Sequence, residues 1–363
     1  MSDAQERYKQ IIEGIANADR EIARAFEERI RWVRALSALR KESGGVMYKL
    51  PHLEEVLRTA RLVLRELDGE LALRTLEAVM REVVGASGLW FGPLRIALAG
   101  PDFELARVAA RAAFGSLAEL FLASSPAEAI RSVERNEASA ALLPFETTDE
   151  GTVASTLFAL VHGSVPVIGE RTVPRAYHLY GCSEDGPIER ITGSRFALSA
   201  CARSIEERWP EALVIESRSI EHALELAQSE AKTAVLLTSD EEAQGLRRIH
   251  AHLEDDPHLK VRFVVLSRDV PRRTGADRTL IALLLQEKPG SLYAALAPFA
   301  ERGINISHVE SRRAPGPSFE QLVFLELDGH ISDRPMLAAL DEVRMRSREL
   351  KVLGSYPKPT GQN

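Results

Sequence analysis

The chain is poor in cysteine: Cys182 and Cys201 are the only two in 363 residues. Their placement fits neither a metal site nor a disulfide framework, so a reducing, cytoplasmic home is expected. Long apolar runs are missing as well, which leaves no candidate for a membrane span. The start, MSDAQERYKQ, is charged and has no apolar signal core. Positive charge is not in excess: the net charge is -7, so no basic footprint argues for nucleic acid. Nothing in the residues calls for a cofactor or a metal. These absences leave open small anionic ligands held by a few local arginines.

What is present is ordinary in bulk and uneven along the chain. The composition, 45% hydrophobic and 27% charged, is that of a soluble protein, and the length calls for two or three domains. No proline occurs before Pro51, and Ile11, Ile15, Ala18, Ile22, Ala25, Phe26, Val33 and Leu36 recur at helical spacing. One long helix ending near Ser43 and Gly45, followed by HLEEVLRTARLVLREL and ELALRTLEAVMREVVGAS, predicts an all-α domain over 1–90. From GPLRIALAGPD onward, short β-rich runs alternate with helices, which predicts an α/β domain over 93–270. VPRRTGAD reads as a linker. Residues 277–356 then run strand, helix, strand, strand, helix, strand, the order of a ferredoxin-like α+β domain.

The most specific stretch is QEKPGSLYAALAPFAERGINISHVESRR, from Gln286. With the two regions before it, it resembles the P-protein family, which fuses chorismate mutase, prephenate dehydratase and a phenylalanine-binding ACT domain. The resemblance implies a helical mutase domain, a two-lobed α/β domain like the periplasmic binding proteins, and an ACT domain. It also implies a homodimer with its ligand between two ACT domains. That ligand would be phenylalanine or a related aromatic amino acid, with prephenate the second molecule the chain would meet.

The family's ACT signatures, a GAL turn and an ESRP segment, read here as Gly290, Ser291 and Leu292, and as Glu310, Ser311, Arg312 and Arg313. A glycine between strand and helix lets backbone approach a ligand, and the helix start offers N–H groups to a carboxylate. Asn305 follows Gly303, a candidate left-handed cap. These residues are the expected ligand contacts.

The dehydratase signatures are altered. Losing hydroxide and carbon dioxide from prephenate needs a placed acid, which the family supplies as Thr in a TRF motif. Here the motif reads Val261, Arg262 and Phe263. The family's GPEGTFSH becomes GPDFELAR, bringing Phe103 and Glu104, and PIENSTEG becomes PFETTDEG, keeping Glu146, Glu150 and Gly151 but placing Thr147 at the Asn position. Phe196 falls where SHPQAL carries glutamine. Arg262, Glu146, Thr148 and Thr152 remain as a remnant anion site, and Glu104, Thr148 and Ser194 are the substitute acids open to an active enzyme.

Chorismate rearrangement needs only cations that clamp two carboxylates and an ether oxygen. By the resemblance, Arg29 and Arg40 keep two of the mutase clamps. Ile12 and the pair His52 and Leu53 replace others, Lys49 stands at an acidic position, and Val83 and Ser87 take the polar positions of the third helix. The expectation is therefore a regulatory or diverged paralogue in phenylalanine biosynthesis, with a retained sensor and degenerate catalytic sites. The alternative is an active, phenylalanine-inhibited prephenate dehydratase, with or without mutase activity.

Overall fold

The apolar spacing of the N-terminal run closes into one helix, α1 (Ser2–Glu42), followed by α2 (Leu53–Glu66) and α3 (Leu73–Gly88). The computed structural model describes residues 2–42, 53–66, 73–89, 92–100, 103–149, 151–183, 186–238, 243, 245–313 and 321–359. The chain divides into two compact units, Met1–Leu94 with Phe114–Ala118, and Arg95–Ala113 with Glu119–Asn363.

Among the described residues of the first unit, Ile30 and Val33 of α1 and Leu57 of α2 are buried apolar side chains. Much of the apolar surface of α1 is bare: Tyr8, Ile11, Ile12, Ile15, Ile22, Phe26 and Trp32 are exposed. Phe114–Ala118 packs against α3. The Glu82 carboxylate accepts the Ser116 backbone N–H and hydroxyl at 3.0 and 2.7 Å, and a Cβ added to Gly85 would lie 2.6 Å from the Phe114 carbonyl oxygen.

The second unit holds the strands. In chain order they begin β1 (Arg95–Leu98), α4 (Phe103–Phe114), β2 (Glu119–Leu122), α5 (Pro126–Glu134), β3 (Ala140–Thr147), β4 (Gly151–Thr152), α6 (Ala154–His162) and β5 (Val167–Pro174). Then come β6 (His178–Gly181), β7 (Arg190–Gly193), α7 (Arg195–Ala200), α8 (Ala202–Arg208), β8 (Leu213–Glu216), α9 (Ile220–Ser229), β9 (Thr233–Leu237) and β10 (Arg247–His250). The last elements are β11 (Lys260–Leu266), β12 (Asp277–Leu284), α10 (Ser291–Glu301), β13 (Ile306–Arg313), β14 (Gln321–Asp328), α11 (Arg334–Arg346) and β15 (Glu349–Pro357).

These strands form two sheets. The larger has ten strands in the order β13-β14-β12-β15-β5-β11-β3-β1-β2, with β4 beside β3, and the smaller has the order β10-β6-β9-β7-β8. The chain passes to the smaller sheet after β5 and returns before β11, so β5 and β11, adjacent and antiparallel, mark the junction. Strands covered on both faces read as unbroken apolar runs, as in AALLPF of β3 and TAVLL of β9, both fully buried over those residues.

The large sheet runs across the linker expected at VPRRTGAD. β15 pairs antiparallel with β12 and, at Gly354 and Val167, parallel with β5. An added Cβ at Gly354 would lie 2.2 Å from the Val167 carbonyl oxygen, so the close approach needs glycine. Lys351, also on β15, donates to the carbonyls of Leu160, Val161 and Gly163 at the end of α6. Cations suit a helix C-terminus, and burial lowers the pKa of this amine.

Candidate functional site

Strand β11 carries the altered signature at the centre of the large sheet. Val261 is buried and sits opposite Thr147 on one side and Val173 on the other. Directly opposed residues in a sheet share a face. The side chain at 261 brings no hydroxyl, and the nearest cross-strand one on that face belongs to Thr147. Sequence reasoning noted Thr147 only as a lost asparagine; its position opposite Val261 follows from register, which no local pattern reports.

Arg262 points the other way and is fully committed. Its Nε and Nη2 donate to Glu146 Oε2 at 3.0 and 2.7 Å, and its Nη1 donates to Glu326 at 2.7 Å and Glu170 at 3.2 Å. Its guanidinium lies 4.7 Å from the Phe145 ring centroid. Arg278 of β12 adds a second cation, donating to both oxygens of Glu170 at 2.8 and 2.9 Å. The Tyr356 hydroxyl of β15 closes the cluster at 3.4 Å from Glu170. Burial opposes charge on Arg262, but Glu326 and Glu170 outweigh it, so its pKa is raised. Burial, reinforced by Glu170 and Glu326, pushes the Tyr356 phenol well up. Arg262, expected as a remnant anion contact, meets three carboxylates of its own chain. Glu170, Glu326, Arg278 and Tyr356 were not foreseen, because they converge from strands far apart in sequence.

The remaining predicted residues of this region separate. Thr148 is exposed in the hairpin turn, where its hydroxyl accepts the Lys260 N–H at 3.0 Å. Thr152, expected beside an anion, faces β13: its hydroxyl donates to Glu310 and lies 3.3 Å from His308 Nε2. Glu104 is buried in the first turn of α4. Ser194 caps α7 by accepting the Ala197 N–H at 3.2 Å. Glu150 lies outside the described residues.

The predicted sensor residues divide by strand face. β13 alternates, with His308, Glu310 and Arg312 half-buried and Val309, Ser311 and Arg313 exposed. Glu310 pairs with Arg312 at 2.7 Å, and Arg312 Nη2 donates to the Thr152 carbonyl at 3.3 Å. Gly290, at the start of α10, is left-handed at φ +80, and Leu292 is exposed just after Ser291. Gly303 is left-handed at φ +67, and Asn305 donates to Asp328 at 3.0 Å.

In the helical unit, Arg29 reaches α3, donating to the Ser87 hydroxyl and to the Val83 carbonyl at 3.3 Å. Burial lowers its pKa. The sequence-predicted trio Arg29, Val83 and Ser87 is thus brought together. Ile12 is 46% exposed. The side chains of Arg40 and Leu53, and all of Lys49 and His52, lie outside the described residues.

A further arginine sits at the junction of the two sheets. Arg175 follows β5, its backbone N–H bound to the Leu259 carbonyl at 2.8 Å on the returning chain. Its guanidinium donates to Asp149 at 3.0 Å and to the Tyr177 hydroxyl at 3.4 Å, and lies 5.8 Å from the Phe196 ring centroid. No helix of the described residues is long and apolar enough to cross a membrane.

Comparison with known proteins gives a consistent result. Residues 96–271 match the family model for prephenate dehydratase, and residues 279–344 that for the ACT domain. A bifunctional chorismate mutase/prephenate dehydratase of Aquifex aeolicus is 28% identical over 357 residues, 97% of this chain and 98% of that protein. A prephenate dehydratase of Amycolatopsis methanolica is 30% identical over 273 residues, 74% of this chain and 90% of that protein. Among solved structures, the prephenate dehydratase of Arthrobacter aurescens in complex with L-Phe superposes with a TM-score of 0.63 at 29% identity, covering 72% of this chain and 89% of that one.

Proposed function

Because this chain belongs to the P-protein family of chorismate mutase/prephenate dehydratases with an ACT domain, we propose that it serves phenylalanine biosynthesis mainly as an aromatic-amino-acid sensor. In this reading its dehydratase and mutase sites have diverged from the family's chemistry. The observation that carries the reading is strand β11: position 261 offers no proton, and Arg262 is consumed by Glu146, Glu170 and Glu326. A dianion would find neither its acid nor that cation there. The helical site is weakened too in this reading, with an exposed isoleucine at 12 in place of a clamping arginine.

In this proposal the residues 93–270 work as two lobes and 277–356 as a ferredoxin-like sensor. Gly290, Ser291, Leu292, Asn305, Glu310, Ser311 and Arg312 take phenylalanine or a related aromatic amino acid. The L-Phe bound to the Arthrobacter protein supports that ligand class. The protein acts in the cytoplasm as a homodimer, a reading supported by the bare apolar stripe of α1.

The test is incubation of the purified chain with prephenate, following phenylpyruvate, with Val261→Thr in parallel. The expected outcome is no product from the native chain and measurable product from the variant. Sustained native turnover overturns the proposal. One observation favours the second reading, an active dehydratase: Thr147 presents a hydroxyl opposite Val261. If turnover is found, Thr147→Val should abolish it.

A further inference from the structure

Helix α6 lies within the residues that match prephenate dehydratase, yet strands from residues 277–356 hold both of its ends. Just ahead of its start, buried Thr152 meets β13 twice. Its hydroxyl donates to Glu310 at 3.3 Å, and its carbonyl accepts from Arg312 at 3.3 Å. His308 of the same strand lies 3.3 Å from that hydroxyl. At the other end, the Lys351 ammonium of β15 donates to the carbonyls of Leu160, Val161 and Gly163. An ammonium has three N–H donors, so this hold uses its whole capacity.

The distance between these holds follows from the geometry of both elements. β13 and β15 stand three steps apart in the order β13-β14-β12-β15, about 14 Å at the usual strand separation. A nine-residue helix is about 13.5 Å long. α6 therefore has the length to reach from one strand to the other across the four. Its buried Leu157 and Leu160 share a core with Ala282 of β12, Phe324 of β14 and Leu353 of β15. The start of the helix is also bonded onward. Thr152 pairs with Glu146 between β4 and β3, and the Val153 N–H donates to the Phe145 carbonyl at 2.8 Å. The same hairpin meets β11, where the Thr148 N–H donates to the Lys260 carbonyl at 3.1 Å and Thr147 stands opposite Val261.

We propose that α6 is a strut, pinned by β13 at one end and β15 at the other, that turns a change in the twist or spacing of those strands into a movement of the β3–β4 hairpin against β11. Coupling between distant sites travels through packed side chains and hydrogen bonds on rigid elements. A strut pinned at both ends responds at one end when the other is released. A lysine that merely caps its own turn gives no such response. The strut rests on contacts within the free chain. That an aromatic amino acid near Glu310 and Arg312 sets it in motion rests on the sensor reading given above.

The experiment is amide hydrogen exchange on the full chain and on Lys351→Met, Thr152→Val and Glu134→Gln, with and without L-Phe, whose binding is measured by calorimetry. Rates are taken relative to the buried strand β9, so that a global change in stability cancels. Without L-Phe, Lys351→Met should speed exchange at Val153 and Thr148, the end far from the lysine, roughly threefold or more, as for loss of a hydrogen bond. Thr152→Val should do the same to the Gly163 amide, which donates to the Ala159 carbonyl. Glu134→Gln loosens Ser164, beside the same helix end as Lys351, from α5 rather than from β15. It should leave Val153 and Thr148 at native rates. Native rates at the far end in either of the first two variants overturn the strut, as does an equal response to Glu134→Gln. If Lys351→Met fails to fold, Thr152→Val decides. With L-Phe bound, both ends of α6 should change rate in the native chain, and Lys351→Met should lose the change at Val153. Binding of L-Phe that leaves both ends unchanged, or a change at Val153 that survives Lys351→Met, overturns the transmission. No binding of L-Phe sinks the sensor reading alone, and the rates without ligand then decide the strut.

Discussion

Removing the guanidinium of Arg262 takes from Glu146, Glu170 and Glu326 the cation they share, leaving Arg278 on Glu170 and Glu326 and His308 beside Glu146. Breaking a buried charge network from one side costs ~3–5 kcal/mol. Arg262→Met should therefore lower stability by about that much in urea denaturation, and far more than the loss of a surface pair such as Arg344 with Asp341. Restoring balance with Glu326→Gln in the same chain should recover part of the loss. At this scale the sequence was half legible. The TRF-like motif marked Arg262, and the PFETTDEG segment marked Glu146. Their partners are a matter of strand order, and Tyr356 lies 186 positions from the Glu170 it touches. Arg175 escaped notice for the same reason, since nothing in VPRAYHLYG shows that Asp149 and Phe196 will meet there.

Among the elements, those with a strong period or a cap were legible and those without were not. The helical spacing of α1 and the start of α5, where Pro126 follows a Ser125 that accepts the Glu128 N–H at 3.2 Å, follow from local rules. Ser125→Ala should cost about 1 kcal/mol in thermal or chemical denaturation. By contrast β4, β7 and β10 have two to four residues each, too few for an alternation to register. β10 also carries two exposed arginines, Arg247 and Arg248. The end of α5 offers a pH test. Glu134 accepts the Ser164 N–H and hydroxyl at 2.7 and 2.8 Å, and that backbone bond above all lowers its pKa. A depressed carboxyl stabilises the fold above its unfolded pKa, and that contribution is lost as pH falls through the folded value. Stability measured on the acid side should thus fall less steeply in Glu134→Gln than in native protein.

Over the whole molecule, the helical N-terminal region and the mixed α/β elements after it were readable from the change of texture near residue 93 and the element order after 277. The continuity of the large sheet was not, because it depends on β15 approaching β5 at Gly354. Gly354→Ala should destabilise by ~1–3 kcal/mol through overpacking against Val167. In native-state hydrogen exchange, the amides of β5 and β15 should open as one cooperative unit in the native chain and separately in the variant. The bare stripe of α1 gives a test of assembly: Ile11→Asp with Ile15→Asp should shift a dimer toward monomer in sedimentation while leaving β-sheet content unchanged. The shared sheet also bears on heredity. A C-terminal segment received from a relative by recombination near VPRRTGAD must bring a glycine that fits Val167. It must also bring a carboxylate and an arginine at the places of Glu326 and Arg278, where Glu170 and Arg262 are waiting. A segment lacking any of the three would misfit this joint, so the ACT domain and the strands it rests on should pass through recombination as one block.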